Sequence, residues 1–326
     1  MEYRILGRTG VKVSRLCMGT MSFGDKADEK VSAAMFHRCR EVGVNFFDTA
    51  NRYAGGRSEE ILGKLIGGCR EEIILTSKVG NPAGNDVNAR GLSRRHIMKE
   101  IEGSLRRLRT DRLDLYFLHS FDPQTPAEEP LQALDDLVHQ GKILYPAVSN
   151  WASWQIATGL GISAANGWAR IQCIQPMYNL VKRQAEVEIF PLADAERLGV
   201  ITYSPLGGGL LTGRYGAKSR PEEGRLIKNS QYKRRYGDPM YFAIAERFIR
   251  HAEERAVAPS PLALAWVMAH PAITAPIIGP WNMDQLEAYL GALQIPMTPE
   301  WRKEISALSV EPPPATDRRE EQTQEA

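Results

Sequence analysis

Four cysteines in 326 residues, Cys17, Cys39, Cys69 and Cys173, form no C-x-x-C pair. That scarcity argues against a disulfide framework or a structural zinc, and no metal site is expected; separate thiols fit a reducing compartment. Long apolar runs are missing too. No stretch reaches the roughly 18 residues of a membrane helix, and the charged start Met1-Glu2-Tyr3-Arg4-Ile5 has no apolar segment of signal-peptide length. A net charge of +2 lacks the one-signed excess that nucleic acid or an anionic membrane would require. The dinucleotide fingerprint G-x-G-x-x-G is also absent: Gly207-Gly208-Gly209-Leu210-Leu211-Thr212-Gly213 puts threonine where the third glycine belongs. The expectation is a cytoplasmic protein with no nucleic-acid or membrane partner. Nothing in the sequence reports its oligomeric state.

What is present is ordinary for a soluble enzyme, 43% hydrophobic and 25% charged residues. The length alone suggests two domains, but α/β barrels of this size form one. Residues 2 to 13 alternate apolar and polar around Gly7-Arg8-Thr9-Gly10, which predicts an N-terminal hairpin. Beyond it, short continuous apolar runs of the kind buried on both faces alternate with helical patterns. The predicted strands are Leu16 to Met18, Asn45 to Phe47, Ile73 to Ser77, Leu113 to Leu118, Ile143 to Val148, Ile171 to Ile174, Val200 to Tyr203 and Ala275 to Ile278.

Between them, Val31, Met35, Cys39 and Val42 mark one helical face, and Ile97, Ile101, Leu105 and Leu108 another, opened by Ser93. Thr125-Pro126-Ala127-Glu128 reads as a capping box, and Asn282-Met283-Asp284-Gln285 as a similar cap. Eight strands alternating with helices predict an α/β fold, a (β/α)8 TIM barrel with an N-terminal β-hairpin, over a doubly wound sheet. A long basic loop follows the seventh strand, Arg214 to Pro239, including Lys218, Arg220, Arg225 and Lys228. Such a loop suits an anionic ligand at the barrel mouth. One catalytic domain over 1–310 and a disordered tail over 311–326 complete the organisation.

The barrel places its active site at the C-terminal strand ends. Standing there are Asp48 with Tyr53, then Lys78, His119, Ser149-Asn150, Gln175, Tyr203-Ser204 and Gly279. Taken singly, Lys78 is a snorkelling lysine, His119 a core histidine, Asp48 a cap and Tyr53 packing. Their occurrence at consecutive strand ends points instead to carbonyl reduction, which needs a hydride donor and a proton for the developing alkoxide. In that chemistry Lys78 lowers the pKa of Tyr53, Asp48 holds Lys78, and a neutral His119 orients the substrate oxygen.

These motifs resemble the aldo-keto reductase family. The resemblance runs through Leu6-Gly7-Arg8-Thr9-Gly10, Leu16 to Met21, Phe47-Asp48-Thr49-Ala50 with Tyr53, Ser58-Glu59-Glu60, Thr76-Ser77-Lys78 and Asp114-Leu115-Tyr116 with His119. It continues through Val148-Ser149-Asn150, Gln175 to Asn179 and Tyr203 to Gly213. It implies that Asp48, Tyr53, Lys78 and His119 are catalytic and that a nicotinamide dinucleotide lies across the barrel mouth. It further implies Gly19 and Thr20 near the ribose, Ser149, Asn150 and Gln175 at the carboxamide, and Tyr203 stacked on the nicotinamide. Ser204, Leu206, Gly208 and Leu211 would follow the pyrophosphate, with Gly279, Trp281 and Gln285 at the far end.

Two departures stand out. Trp281 occupies a place where many members carry a basic residue for the NADP 2′-phosphate, and Tyr289 a place where an asparagine is common. NADP(H) is favoured through the basic loop, and NAD(H) stays open. The expected substrate is a small carbonyl compound, with Phe23, Arg52, Phe121 and Trp151 as candidate pocket walls. Two other functions compete: a cofactor-binding redox-sensing subunit resembling the potassium-channel beta subunits, and a Schiff-base aldolase using Lys78.

Overall fold

The structure, a computed structural model, describes residues 1–215, 226 and 229–318. Two short antiparallel strands, β1 (Tyr3–Ile5) and β2 (Lys12–Ser14), form the predicted hairpin. Eight parallel strands then close into a barrel. They are β3 (Cys17–Gly19), β4 (Phe46–Asp48), β5 (Ile74–Val79), β6 (Leu113–Leu118), β7 (Ile143–Ser149), β8 (Cys173–Gln175), β9 (Gly199–Thr202) and β10 (Ala275–Ile278), with β10 pairing back onto β3. The barrel is therefore the fold, and the doubly wound sheet is not.

Strand parity builds two separate cores. Cys17, Phe46, Leu115, Phe117, Ala147, Cys173, Ile201 and Ala275 point inward and fill the barrel with Leu6 and Val13 of the hairpin segment. Their chain neighbours Met18, Phe47, Leu75, Tyr116, Leu118, Val148, Ile174 and Val200 point outward beneath the helices. This in-and-out alternation along each strand is the pleat expressed in a closed sheet. The hairpin closes the N-terminal end: a Cβ on Gly7, whose φ is +56°, would lie 2.6 Å from the Gly199 nitrogen, so only glycine permits this approach.

Helices form where the sequence places caps and apolar stripes. Asp28 caps Glu29–Glu41, Ser93 caps Arg94–Leu108 and Asn282 caps Met283–Leu290, each accepting a backbone N–H. Ile97, Ile101, Leu105 and Leu108 are all buried, as their spacing requires. The capping box at Thr125 does not form. The helix begins at Glu128, and the Thr125 hydroxyl donates instead to Asp122, which is already fixed by the Leu92 and Gln124 amides.

The segment expected as one basic loop contains a helix, Ser230–Tyr236, capped by Asn229. Lys218, Arg220, Arg225 and Lys228 lie outside the described residues, as does the end of the expected tail from 319. Among the described residues, no helix is long and apolar enough to cross a membrane.

Candidate active site

The inward register sets the site before any side-chain chemistry is considered. One step beyond the inward core residues, the same parity brings Gly19, Asp48, Lys78, His119, Ser149, Gln175, Tyr203 and Gly279 to the barrel mouth. Of these, all but Lys78 line a cavity of about 900 Å³. The structure corrects the predicted end of the third barrel strand. β5 runs on to Val79, so Ile74, Thr76 and Lys78 share its inner face and Lys78 is fully buried rather than snorkelling.

Lys78 is held by three acceptors, which matches the donor capacity of an ammonium. Its Nζ lies 2.5 Å from Asp48 Oδ2, 2.7 Å from the Thr49 carbonyl and 3.3 Å from the Tyr53 hydroxyl. The other Asp48 oxygen accepts from Thr76 Oγ1 at 2.8 Å and Gln175 Nε2 at 3.0 Å. A buried ion pair persists only when its remaining hydrogen-bonding capacity is met in this way. Burial acts to lower the Lys78 ammonium, but Asp48 and Tyr53 outweigh it and hold the group above the ordinary lysine value.

Tyr53 shows a net effect opposite to expectation. Burial pushes its phenol above the ordinary tyrosine range, Lys78 opposes the shift without reversing it, and Asp48 adds to it. The reason is that burial of the phenol outweighs the Lys78 ammonium, whose effect Asp48 partly offsets. The Tyr53 segment is strained: Ala54, a non-glycine, sits at φ +48°, followed by Gly55 and Gly56 at +64° and +96°. It is anchored from behind by Asn51 Nδ2 donating to Glu100 at 2.8 Å. Glu59, also buried, accepts from Ser77 and pairs with Arg107, whose side chain passes under Gly56.

His119 faces Tyr53 edge-on, with ring centroids 6.1 Å apart. Burial, then Lys78 and Arg52, push its pKa down to about 3, so the imidazole is neutral through the physiological range. The Asn150 amide secures this side by donating to the His119 carbonyl at 2.9 Å and to Ser149 Oγ at 3.0 Å, while Tyr203 donates to Asn150 Oδ1 at 2.6 Å.

Of the residues assigned by resemblance to a dinucleotide, Gly19, Ser149, Asn150, Gln175, Tyr203, Ser204, Leu206, Gly208, Gly279, Trp281 and Gln285 line the cavity. Thr20 and Leu211 do not. Thr20 is buried and tied to the Asp48 carbonyl and Ser58 Oγ, and Leu211 is buried in the outer core. Arg52 also lines the cavity, whereas Phe23 is buried and Phe121 and Trp151 pack against each other. Ala147 packs inside the barrel.

Sequence reasoning missed several lining residues, among them Asn81, Ser120 and Tyr232, whereas Arg214 and Arg235 of the basic loop do line the cavity as expected. It also missed the left-handed backbone of Asn150 and Ser204, at φ +59° and +55°. A clustering of non-glycine residues in that region at one rim is a mark of a working site. The serine-asparagine and tyrosine-serine pairs after strand ends were the available signal.

The comparisons with known proteins agree with this geometry. The model of the Aldo/keto reductase family matches residues 15–310. An uncharacterized oxidoreductase, YrpG, of Bacillus subtilis (strain 168) is 37% identical over 313 residues, 92% of this chain and 93% of the relative. The versiconal hemiacetal acetate reductase of Aspergillus parasiticus is 30% identical over 326 residues, 92% of this chain and 94% of the relative. A probable voltage-gated potassium channel subunit beta of Oryza sativa subsp. japonica is 34% identical over 328 residues, 97% of this chain and 99% of the relative. A barrel whose mouth gathers a buried aspartate–lysine pair, a tyrosine and a neutral histidine, matched by that model over nearly its whole length, belongs to the aldo/keto reductase family of oxidoreductases.

Proposed function

We propose that this chain catalyses the reversible NAD(P)H-dependent reduction of an aldehyde or ketone to an alcohol, with Tyr53 as proton donor. The observation that carries the reading is the Lys78 ammonium donating to the Tyr53 hydroxyl at 3.3 Å while fully engaged by Asp48. With its oxygen lone pair occupied by Lys78, the Tyr53 O–H is free to donate to a carbonyl oxygen in the cavity. The raised pKa keeps the proton on Tyr53 until an oxygen of growing negative charge accepts it. The phenolate left behind faces the Lys78 ammonium, and the neutral His119 serves as a second hydrogen-bond donor to the same oxygen.

The residues present fit a nicotinamide dinucleotide. The cavity holds about 900 Å³, its lining includes Ser149, Asn150 and Gln175 as well as Trp281, and the space over Gly279 is open, since a Cβ there would meet nothing within 4 Å. When bound, the nicotinamide supplies the hydride. Ser149, Asn150 and Gln175 would hold its carboxamide, Tyr203 its ring face, and Ser204, Leu206 and Gly208 the pyrophosphate.

NADP(H) is the favoured form. Trp281 carries no charge, but the Lys26 ammonium lies 4.0 Å over its ring, and Arg214 and Arg235 line the cavity. Asp25 and Asp284 line it too and weigh toward NAD(H). One catalytic domain over 1–310 suits this activity. Its last turns are tied down by Arg247 donating to the Leu308 carbonyl and Ser309 to that of Leu180. Cytoplasmic residence, where the four free cysteines stay reduced, is part of the same reading.

Tyr53→Phe tests it: turnover of a carbonyl panel should fall about 10²- to 10⁴-fold, with cofactor affinity by fluorescence titration nearly intact. Normal turnover in that variant would end the proton-donor assignment. Relatives named as potassium channel beta subunits support a second reading, a redox-sensing subunit. Tight cofactor binding with no carbonyl turned over would favour it. A Schiff-base role for Lys78 is disfavoured because its raised pKa keeps the amine protonated.

A further inference from the structure

We infer that the carbonyl substrate carries an anionic group, a carboxylate or phosphate monoester, recognised by Arg52 at the β4–β6 side of the cavity. The inference rests on the carbonyl-reduction reading. Three consecutive strand ends build that wall. Arg52 directly precedes Tyr53, Asn81 follows β5, Ser120 follows His119, and all three face the cavity. Arg52 lines the same cavity as Tyr53 and His119, and its charge adds, after burial and Lys78, to what lowers the imidazole.

Arg52 is exposed, and its guanidinium has no hydrogen-bond or ion-pair partner among the described residues. Neighbouring arginines behave differently: Arg57 pairs with Glu29 and Glu60, Arg107 with Glu59, and Arg70 with Asp114. The carboxylates lining the cavity do not compensate it. Asp48 is engaged by Lys78, and Asp25 and Asp284 stand at the Trp281 end, beside Lys26 and inside the helix after Asn282. Arg52 is therefore the exposed charge of the substrate side, set beside an amide and a hydroxyl.

A guanidinium offers paired N–H groups matched to two oxygens of a carboxylate or phosphate. Asn81 and Ser120 add neutral donors within the same wall. A neutral substrate filling this space would strip water from the cation and return nothing, whereas an anionic one replaces that water with charge-assisted hydrogen bonds.

Matched substrate pairs test this with the full chain and its preferred cofactor. 4-Oxobutanoate is compared with 4-oxobutanamide, and glycolaldehyde phosphate with glycolaldehyde, each as kcat/KM at low and high salt. In at least one pair the anionic member should be favoured by about 10- to 100-fold, the range of a charge-assisted hydrogen bond, and the preference should shrink with salt. Arg52→Gln should remove most of it by lowering kcat/KM for the anionic member more than for its neutral partner, and Arg52→Lys should restore part. The pair that shows the effect identifies carboxylate or phosphate as the group. Equal turnover of both members in both pairs, or a preference that survives Arg52→Gln, overturns the anionic-substrate inference and leaves carbonyl reduction standing. Turnover of none of the four, nor of any carbonyl in a wider panel, overturns carbonyl reduction and this inference with it.

Discussion

The two sides of the barrel mouth are held in different ways. On the β4–β5 side, charge does the holding: Asp48, Lys78, Thr76 and Thr49 form a closed set of hydrogen bonds with no exposed member. On the side from β7 to β10, shape comes from backbone, with left-handed Asn150 and Ser204 and consecutive positive-φ glycines at 207, 208 and 209. The first arrangement holds the buried Lys78–Asp48 pair and the Tyr53 hydroxyl in one geometry, and removal of either charge strands the other. The second presents carbonyls, amides and an aromatic face along an extended path, which suits a long ligand rather than a reacting atom. Damage to the two sides should accordingly differ in kind: loss of fold and chemistry on the first, loss of affinity on the second.

Lys78→Met gives the largest break in that contrast. It leaves the Asp48 carboxylate buried without its cation and should cost about 3–5 kcal/mol of stability, along with turnover. Adding Asp48→Asn should recover much of the stability, because no charge is then stranded, yet recover no turnover. Thermal melts of the single and double variants, with activity, check both statements. A single variant that melts with the parent would mean the pair does not anchor this side.

A second difference is one of protonation. His119 has a folded pKa of about 3, below the ordinary histidine value, so between roughly pH 6.5 and 3 the unfolded chain binds a proton that the folded chain refuses. Its contribution to stability is complete above pH 6.5 and is lost as pH falls toward 3. His270, lowered to about 4, and His96, also lowered, act in the same direction. Melting temperature should therefore drop on acidification, and less steeply in His119→Gln. Equal slopes for variant and parent would show that His119 is solvated enough to titrate normally.

How much of this was legible in the sequence follows from the same physics. Asp48, Lys78 and His119 could be placed because period-two parity in a buried strand is rigid, and a polar residue ending an apolar run must sit at the rim. Lys78 was placed just beyond a strand expected to end at Ser77. In fact that serine is buried, donating to Glu59 of the preceding helix, and the strand continues. Thr125 misled in the reverse sense, since a cap signal yielded to the stronger local pull of Asp122. Glu100 and Arg107 behind Tyr53 were invisible, because their partners Asn51 and Glu59 come from 48 or more residues away. Long-range pairing of that kind leaves no local pattern. The net rise in the Tyr53 pKa was equally out of reach, since it depends on burial that only the closed barrel defines.

The smallest expected effect sharpens the affinity side of the contrast. Trp281 brings no charge to the end of the cavity where a 2′-phosphate would lie, and Lys26, from the loop before the first barrel helix, rests on its indole. The aromatic face holds the ammonium at that end of the cavity and so brings a positive charge where Trp281 has none. Because Lys26 is exposed, its attraction is screened, and Lys26→Ala should weaken NADPH binding by only about 3- to 10-fold at low salt, the value of a solvent-exposed charge contact. NADH binding should barely move, and the difference should fade at high salt. Fluorescence titration with both cofactors reads this directly. Equal losses for the two would mean that Lys26 acts by packing Trp281 against the adenine end, and the acids Asp25 and Asp284 would then decide the cofactor in favour of NAD(H).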